Sequence, residues 1–314
     1  MLSTISKKKS NVTDRIRVVV IFGPTAVGKT ELLFRRFSRG YEVVSADSLQ
    51  VYRGLDIGTA KPSPYQQSLL PHHCIDIREP YEQFTVGDFV RLADRLCNEI
   101  TSRGNIPLIS GGTAYYLKHF LYGLPGAPPG DAEVRSRLQE ELRLNGLASL
   151  YRELELLDPE SASRIAPADA YRITRALEVC RCSGRPLSSF RVPECVRDRL
   201  DPVVIGLMRE PKELRRRIAQ RVKMMMDQGL VREVQQLMRS GATSAWPAMK
   251  GIGYREFFLS RHSGEYSLRD TEQQVRAHTV RYAKQQMTFF RSISRTVWIH
   301  PDDDRSLSKL CGIL

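Results

Sequence analysis

Gly23-Pro24-Thr25-Ala26-Val27-Gly28-Lys29-Thr30 is spaced as G-x-x-x-x-G-K-[ST]. Glycines in such a loop let successive backbone N–H groups turn inward around phosphate oxygens. Lys29 adds a point charge, and the Thr30 hydroxyl suits Mg²⁺. A phosphate or diphosphate is therefore expected on residues 23–30, with Mg²⁺ as its cofactor; the loop alone does not decide whether that ligand is ATP. An ordinary P-loop NTPase also has an apolar strand ending in a metal-holding Asp. Here the run Ile106–Ile109 ends in Ser110, and the strand-terminal acid nearby is Asp47. An Asp at that place can hold metal, accept a proton from a nucleophile, or cap a helix. Arg217 and Arg221 stand four apart on one face of a helix whose apolar side is Leu214, Ile218, Val222 and Met225. Two guanidinium groups there can clamp a diphosphate bidentately or form a solvated basic face.

The elements that position these groups are legible in outline. Arg17–Phe22 is a short apolar run rich in β-branched residues and predicts a buried parallel strand before the loop. Glu31–Phe34 opens a helix, and Tyr41–Ala46 predicts a second strand ending at Asp47. Thr85 with Asp88 three residues on forms a capping box, after which Phe89, Leu92, Leu96 and Ile100 recur at helical spacing. Ile106–Ile109 predicts a third strand, followed by the turn Gly111-Gly112-Thr113. This alternation argues for a doubly wound α/β sheet of the P-loop type with ligands at the C-terminal strand ends. Pro125–Gly130 marks a boundary, and Asp131–Cys182 is helical in pattern, which predicts an inserted all-helical domain. Val203–Leu207 returns to the sheet. Basic helices over Glu213–Gln228, Leu230–Arg239 and Asp270–Ser292 follow, then a last strand at Val297–Ile299. The expected organisation is a basic tail at 1–15, the core at 16–124, the insertion at 125–200, and the rest of the core at 201–314.

Forty-eight Lys and Arg against 35 Asp and Glu leave the 314-residue chain at +13, which suggests a polyanionic partner. The surplus is concentrated: Arg209–Arg239 holds nine basic and four acidic residues, and Arg276–Arg295 holds five basic and none acidic. With 41% apolar residues, a disordered or collagen-like chain is excluded. No apolar run approaches the ~18 residues of a bilayer span, and Met1–Arg15 lacks the apolar stretch of a signal peptide. No membrane association is expected, and the cytoplasm is the expected compartment. Cys74, Cys97, Cys180, Cys182, Cys195 and Cys311 include no C-x-x-C pair. His72-His73-Cys74 has no second ligand pair, so scattered reduced thiols are expected.

Taken together, the longer motifs resemble those of the tRNA dimethylallyltransferase (tRNA isopentenyltransferase) family. They are GPTAVGKT at Gly23–Thr30, DSLQVYRGLDIGTAKP at Asp47–Pro62, HHCIDI at His72–Ile77 and GGTAYY at Gly111–Tyr116. Further on come RITRALEV at Arg172–Val179, GIGYRE at Gly251–Glu256 and RYAKQQMTFFR at Arg281–Arg291. The resemblance runs from Val18 to about Trp298. Departures are Ala114 and Tyr115 where Gly and Leu are common, Ala168 and Tyr171 for Asn and Gln, and Gln285 and Phe289 for Arg and Trp. The zinc finger of eukaryotic relatives is absent.

The resemblance implies transfer of a dimethylallyl group from dimethylallyl diphosphate to N6 of adenosine 37, beside the anticodon, in tRNAs reading codons that begin with U. It implies a P-loop core with a helical insertion that grips the anticodon stem-loop. Residues 23–30 would hold the diphosphate, and Thr113 would hydrogen-bond near its bridging oxygen. Asp47, Ser48, Leu49, Gln50 and Thr113 would meet the target base, and Arg135 with Tyr171, Arg172, Ile173, Thr174 and Arg175 the anticodon arm. N6 is a weak nucleophile that must lose a proton as it attacks, and Asp47 is the candidate base. Stabilising departing diphosphate is the main electrostatic task. A monomer is expected. A P-loop small-molecule kinase would share the loop and the arginines, but not the DSLQVY and GGTAYY segments. A non-catalytic tRNA-binding protein would share the basic helices, but not the need for Lys29, Thr30, Asp47 and Thr113.

Overall fold

The computed structural model describes residues 15–262 and 267–311, so all but the last residue of the expected basic tail lies outside the described residues. Six parallel strands form one sheet in the order β3-β2-β4-β1-β5-β6. They are β1 (Ile16–Phe22), β2 (Tyr41–Ser45), β3 (His72–His73), β4 (Ile106–Gly111), β5 (Leu200–Leu207) and β6 (Val297–Ile299). β1 lies between β4 and β5, and Val18 to Phe22 are fully buried, as a continuous apolar run between two helical layers requires. Phe22 stacks on Phe290 at 4.7 Å and meets Trp298 edge-on at 5.7 Å, which fastens the helix Leu268–Phe290 and β6 to the central strand.

β4 runs two residues further than its apolar core suggests, through Ser110 and Gly111, because its ladder with β1 and β2 continues to Ser110 and beyond. The edge strand β3 has no signal in the sequence: two residues are too short for a period, and its pairing with Val43 and Val44 of β2 creates it. The helix Val86–Ser102 starts with the expected capping box: Thr85 Oγ1 accepts from Asp88 N, and the Asp88 carboxylate accepts from Thr85 N. Four helices were not anticipated: Pro64–Leu69, Ala114–Tyr122, Arg255–His262 and Asp304–Cys311.

The chain divides into two compact units, one running from Tyr122 to Val196 and the other holding the described residues before and after it. Arg197–Leu200, assigned to the insertion from sequence, lie in the core unit. Arg197 forms a bidentate pair with Asp94 at 2.8 Å, and Leu200 pairs with Ile16. The helical unit contains Ala132–Asn145, Leu147–Leu157, Pro159–Arg164 and Ala170–Ser183 around Leu138, Leu150, Leu154, Ile173, Ala176 and Leu177. Asp131 and Asp158 cap two of these helices by accepting from backbone amides.

Among the described residues no helix is long and apolar enough to cross a membrane.

Glu42 on β2 is a buried carboxylate that serves the frame of the sheet. It accepts from Arg103 at 3.0 and 2.7 Å and from Asn105 at 2.9 Å, and lies 2.7 Å from His73 Nε2. Those hydrogen bonds, Arg103 first, hold its pKa down at about 2 against burial. A carboxylate with a depressed folded pKa stabilises fully above its unfolded value and loses that contribution as pH falls toward the folded one. We therefore expect stability to fall between about pH 4.5 and 2. Glu42→Gln should cost about 1–3 kcal/mol at neutral pH and flatten that decline, as measured by denaturant titration across the range.

Candidate functional site

The phosphate loop joins β1 to the helix Lys29–Arg36. Its turn needs left-handed backbone at two places: Ala26 has φ 63° and Gly28 has φ 109°. Gly23 is required by closeness, since a Cβ there would stand 2.7 Å from the Leu207 carbonyl. Lys29 folds over its own loop, with Nζ donating to Gly23 O at 2.7 Å and Pro24 O at 3.0 Å. Burial and the nearby Arg221 guanidinium lower its pKa to about 7, while Asp47 pulls the other way.

Two arginines of the helix Pro211–Gln228 reach this loop. Arg217 Nε donates to Ala26 O at 2.9 Å, and its Nη2 meets both Glu31 oxygens at 2.9 and 2.8 Å. Arg221 Nη2 donates to Thr59 O at 3.3 Å, and its buried Nε has no hydrogen-bond partner. Its pKa is lowered by burial, with Asp47 and Glu31 acting against the shift. The two arginines are placed differently. Arg217 braces the loop through its carbonyl and the first acid of the following helix. Arg221 is a desolvated cation with an unfilled donor. Lys29 and Arg221 both lose hydration here, and the Coulombic effect of Arg221 on Lys29 brings two cations together, an arrangement chemically suited to an anion. Arg209, which in sequence is only the first residue of the basic block, adds a further brace, with Nε donating to Val27 O at 2.7 Å.

The second wall is the segment after β2. Asp47 Oδ1 accepts from Leu49 N at 2.9 Å and Gln50 N at 3.3 Å, which closes a turn; no helix starts here, so the helix-capping alternative is not realised. Among the described residues no hydrogen bond engages Oδ2. Thr113 ties this segment to the end of β4: its Oγ1 accepts from Ser48 N at 2.9 Å and donates to Ser48 Oγ at 3.2 Å. Gly111 allows the approach, because a Cβ there would lie 2.1 Å from Ala46 O. Gln50 is held by the Ser45 hydroxyl at 3.0 Å and reaches Thr59 O at 3.3 Å. Thr59 O therefore receives both Gln50 and Arg221.

Glu233 organises the loop that supplies that carbonyl. Its carboxylate accepts from Asp56 N at 3.0 Å, Ile57 N at 2.7 Å, Gly58 N at 3.2 Å and the buried Tyr254 hydroxyl at 2.7 Å. Nothing in the basic helix marks Glu233 as different from its other acids.

In the helical unit, Tyr171 is 80% exposed, and Arg172 is exposed beside Asp169 at 3.3 Å. Arg135 and Arg175 share one buried acid: Glu178 lies 3.0 Å from Arg135 Nη2 and 2.7 Å from Arg175 Nη1. Thr174 Oγ1 donates to Ala170 O at 2.8 Å. Ile173 corrects the expectation for this segment. It is fully buried in the unit's core, so its side chain cannot meet an external ligand. A five-residue stretch on a helix cannot present every residue outward, because one face must pack.

Among the described residues no group of three or more His, Cys, Asp or Glu could hold a metal ion. Cys74, Cys97, Cys180, Cys182 and Cys195 are free, and burial pushes the Cys74 and Cys97 thiols up to about 12.

A parallel sheet with this loop after its central strand β1, and with Lys29 and Arg221 beside it, defines a protein of the P-loop class. The sequence model of the IPP transferase family matches residues 50–293. The chain is 44% identical over 301 residues to tRNA dimethylallyltransferase 2 of Geotalea uraniireducens, covering 95% of this chain and 96% of that protein. It is 41% identical to the tRNA dimethylallyltransferase of Geobacter metallireducens, covering 91% and 93%. The crystal structure of full-length tRNA isopentenylpyrophosphate transferase from Bacillus halodurans superposes with a TM-score of 0.69 at 34% identity, covering 95% of each chain. The chain belongs to the IPP transferase family.

Proposed function

We propose that this protein is a tRNA dimethylallyltransferase that moves the dimethylallyl group of dimethylallyl diphosphate to N6 of adenosine 37, giving i6A37 in tRNAs that read codons beginning with U. The observation that carries the reading is the shared wall of the site. Thr113 joins the Asp47–Gln50 segment to a sheet edge that also ends in the phosphate loop. A nucleophile held by the first and a leaving group held by the second can then meet in line. Lys29 and Arg221 supply positive charge where diphosphate charge develops as the allylic C–O bond breaks, and the Thr113 hydroxyl turns from Ser48 Oγ to donate near the bridging oxygen while still accepting from Ser48 N. Asp47 takes the N6 proton through Oδ2.

The donor set fits Mg²⁺ of the kind a diphosphate brings with it: one protein hydroxyl, on the exposed Thr30, and, among the described residues, no acidic cage. When bound, the ion would offset diphosphate charge. The helical unit, through Arg135, Tyr171, Arg172, Thr174 and Arg175, contacts the anticodon stem-loop, and the protein acts as a cytoplasmic monomer. Five basic residues with no acid between Arg276 and Arg295 support phosphate contacts. We expect tRNA affinity to fall about 10³-fold or more between 50 and 200 mM salt in filter-binding titrations. A flat salt response would remove these helices from the RNA interface.

The deciding experiment incubates protein, Mg²⁺ and labelled dimethylallyl diphosphate with an unmodified tRNA carrying adenosines at positions 36 to 38. Label on the nucleoside at 37 is expected. RNA binding without label would favour the non-catalytic alternative, and phosphorylation of a small molecule from ATP the kinase.

A further inference from the structure

Gln286 lies on the helix Leu268–Phe290, 261 residues from the phosphate loop it touches. Its side chain is 4% exposed. Oε1 accepts from Thr25 N at 2.9 Å, and Nε2 donates to Gly112 O at 2.6 Å. The orientation of the carboxamide is unambiguous, because an amide N–H needs an acceptor and a carbonyl needs a donor. One side chain therefore spans the second residue after the loop's first glycine and the residue before Thr113. Gly112 makes room for it, since a Cβ there would lie 2.7 Å from Nε2. The neighbouring Arg281 and Lys284 of the same helix are exposed.

The geometry points to Gln286 as a positioning residue that sets the distance between the diphosphate loop and the Thr113 turn. This inference rests on the transferase reading above. Gln286 touches neither reacting group. It fixes the Thr25 peptide by taking its N–H, and it fixes the Gly112 peptide, so that Thr113 meets the leaving group held by residues 23–30. A loose link would leave the loop able to bind an anion, but not in register with Thr113.

The test compares wild type with Gln286→Met, which keeps length and apolar bulk but makes neither hydrogen bond. The second variant is Gly112→Ala, which keeps Gln286 but displaces its carboxamide. Both should lower kcat at least tenfold and raise donor KM, while tRNA Kd stays within twofold. Inorganic pyrophosphate should bind each variant no more than threefold more weakly, which separates register from plain loss of the loop. The proposal is overturned if either folded variant keeps kcat and donor KM within twofold of wild type, whatever its melting temperature. Loss of tRNA affinity with donor kinetics unchanged would overturn it equally. If Gln286→Met does not fold, Gly112→Ala decides. The wild-type protein run in parallel separates the two readings. If it transfers no prenyl group, the transferase reading fails, whereas an active wild type with unaffected variants removes only the role of Gln286.

Discussion

Asp47→Asn is expected to lower prenyl transfer by about 10²–10⁴-fold while leaving tRNA affinity and melting temperature near wild type. Asparagine keeps the oxygen that accepts from Leu49 N and Gln50 N, so the turn after β2 survives. What it loses is the ability to take a proton, because an amide oxygen is far too weak a base. Asp47→Ala removes both functions, and the lost turn should cost a further ~1 kcal/mol of stability. The pair of variants therefore separates chemistry from scaffolding. Single-turnover rates with pre-bound tRNA are the measurement. Turnover within tenfold of wild type in Asp47→Asn would remove Asp47 as the base.

The second large effect belongs to Lys29. Replacing it by methionine should raise the KM for dimethylallyl diphosphate about 10–100-fold, the worth of hydrogen bonds to a charged group, with tRNA binding little changed. Its lowered pKa makes the effect depend on pH in a definite direction. Near pH 7 the amine is half-charged, with burial and Arg221 holding the proton off. A bound diphosphate restores the charge, so above pH 7 donor binding takes up a proton and weakens by up to tenfold per pH unit. Below pH 7 the lysine is already charged, and this dependence vanishes. Free-protein stability moves the other way. The unfolded lysine titrates near 10.5 and the folded one near 7, so the unfolded chain binds more protons between them and stability rises with pH across that window. Donor KM from pH 6.5 to 9 and denaturant midpoints over the same range check both signs. Lys29→Met should flatten each curve, and a parallel KM profile in the variant would dismiss the lysine as its source.

The local features of this chain were legible because they are encoded in short windows. The phosphate loop, β1, β2, the capping box of Thr85 and Asp88 and the span of the basic helix Leu230–Arg239 follow from turn chemistry and side-chain period. The fold class followed from their order, and the pairing of Asp47 with a strand end followed from where an apolar run stops. Ile173 shows the limit of carrying a run of neighbouring residues into a site whole: helical period turns one residue of the run into the core.

Other assignments needed the tertiary structure. Arg217 and Arg221 look alike on their helix, yet one donates to Ala26 O and pairs with Glu31, while the other has a buried, unfilled Nε. Glu233 closes three amides of a loop more than 170 residues away, and Gln286 joins Thr25 to Gly112. The two-residue strand β3 exists only by pairing. By itself the sequence determined which residues can turn, cap, alternate or carry charge, since these depend on a residue and its near neighbours. Which distant group satisfies a particular buried amide, and which of two equal charges loses its water, was decided only by packing, because hydrogen bonding and desolvation depend on what the folded chain brings within a few ångströms.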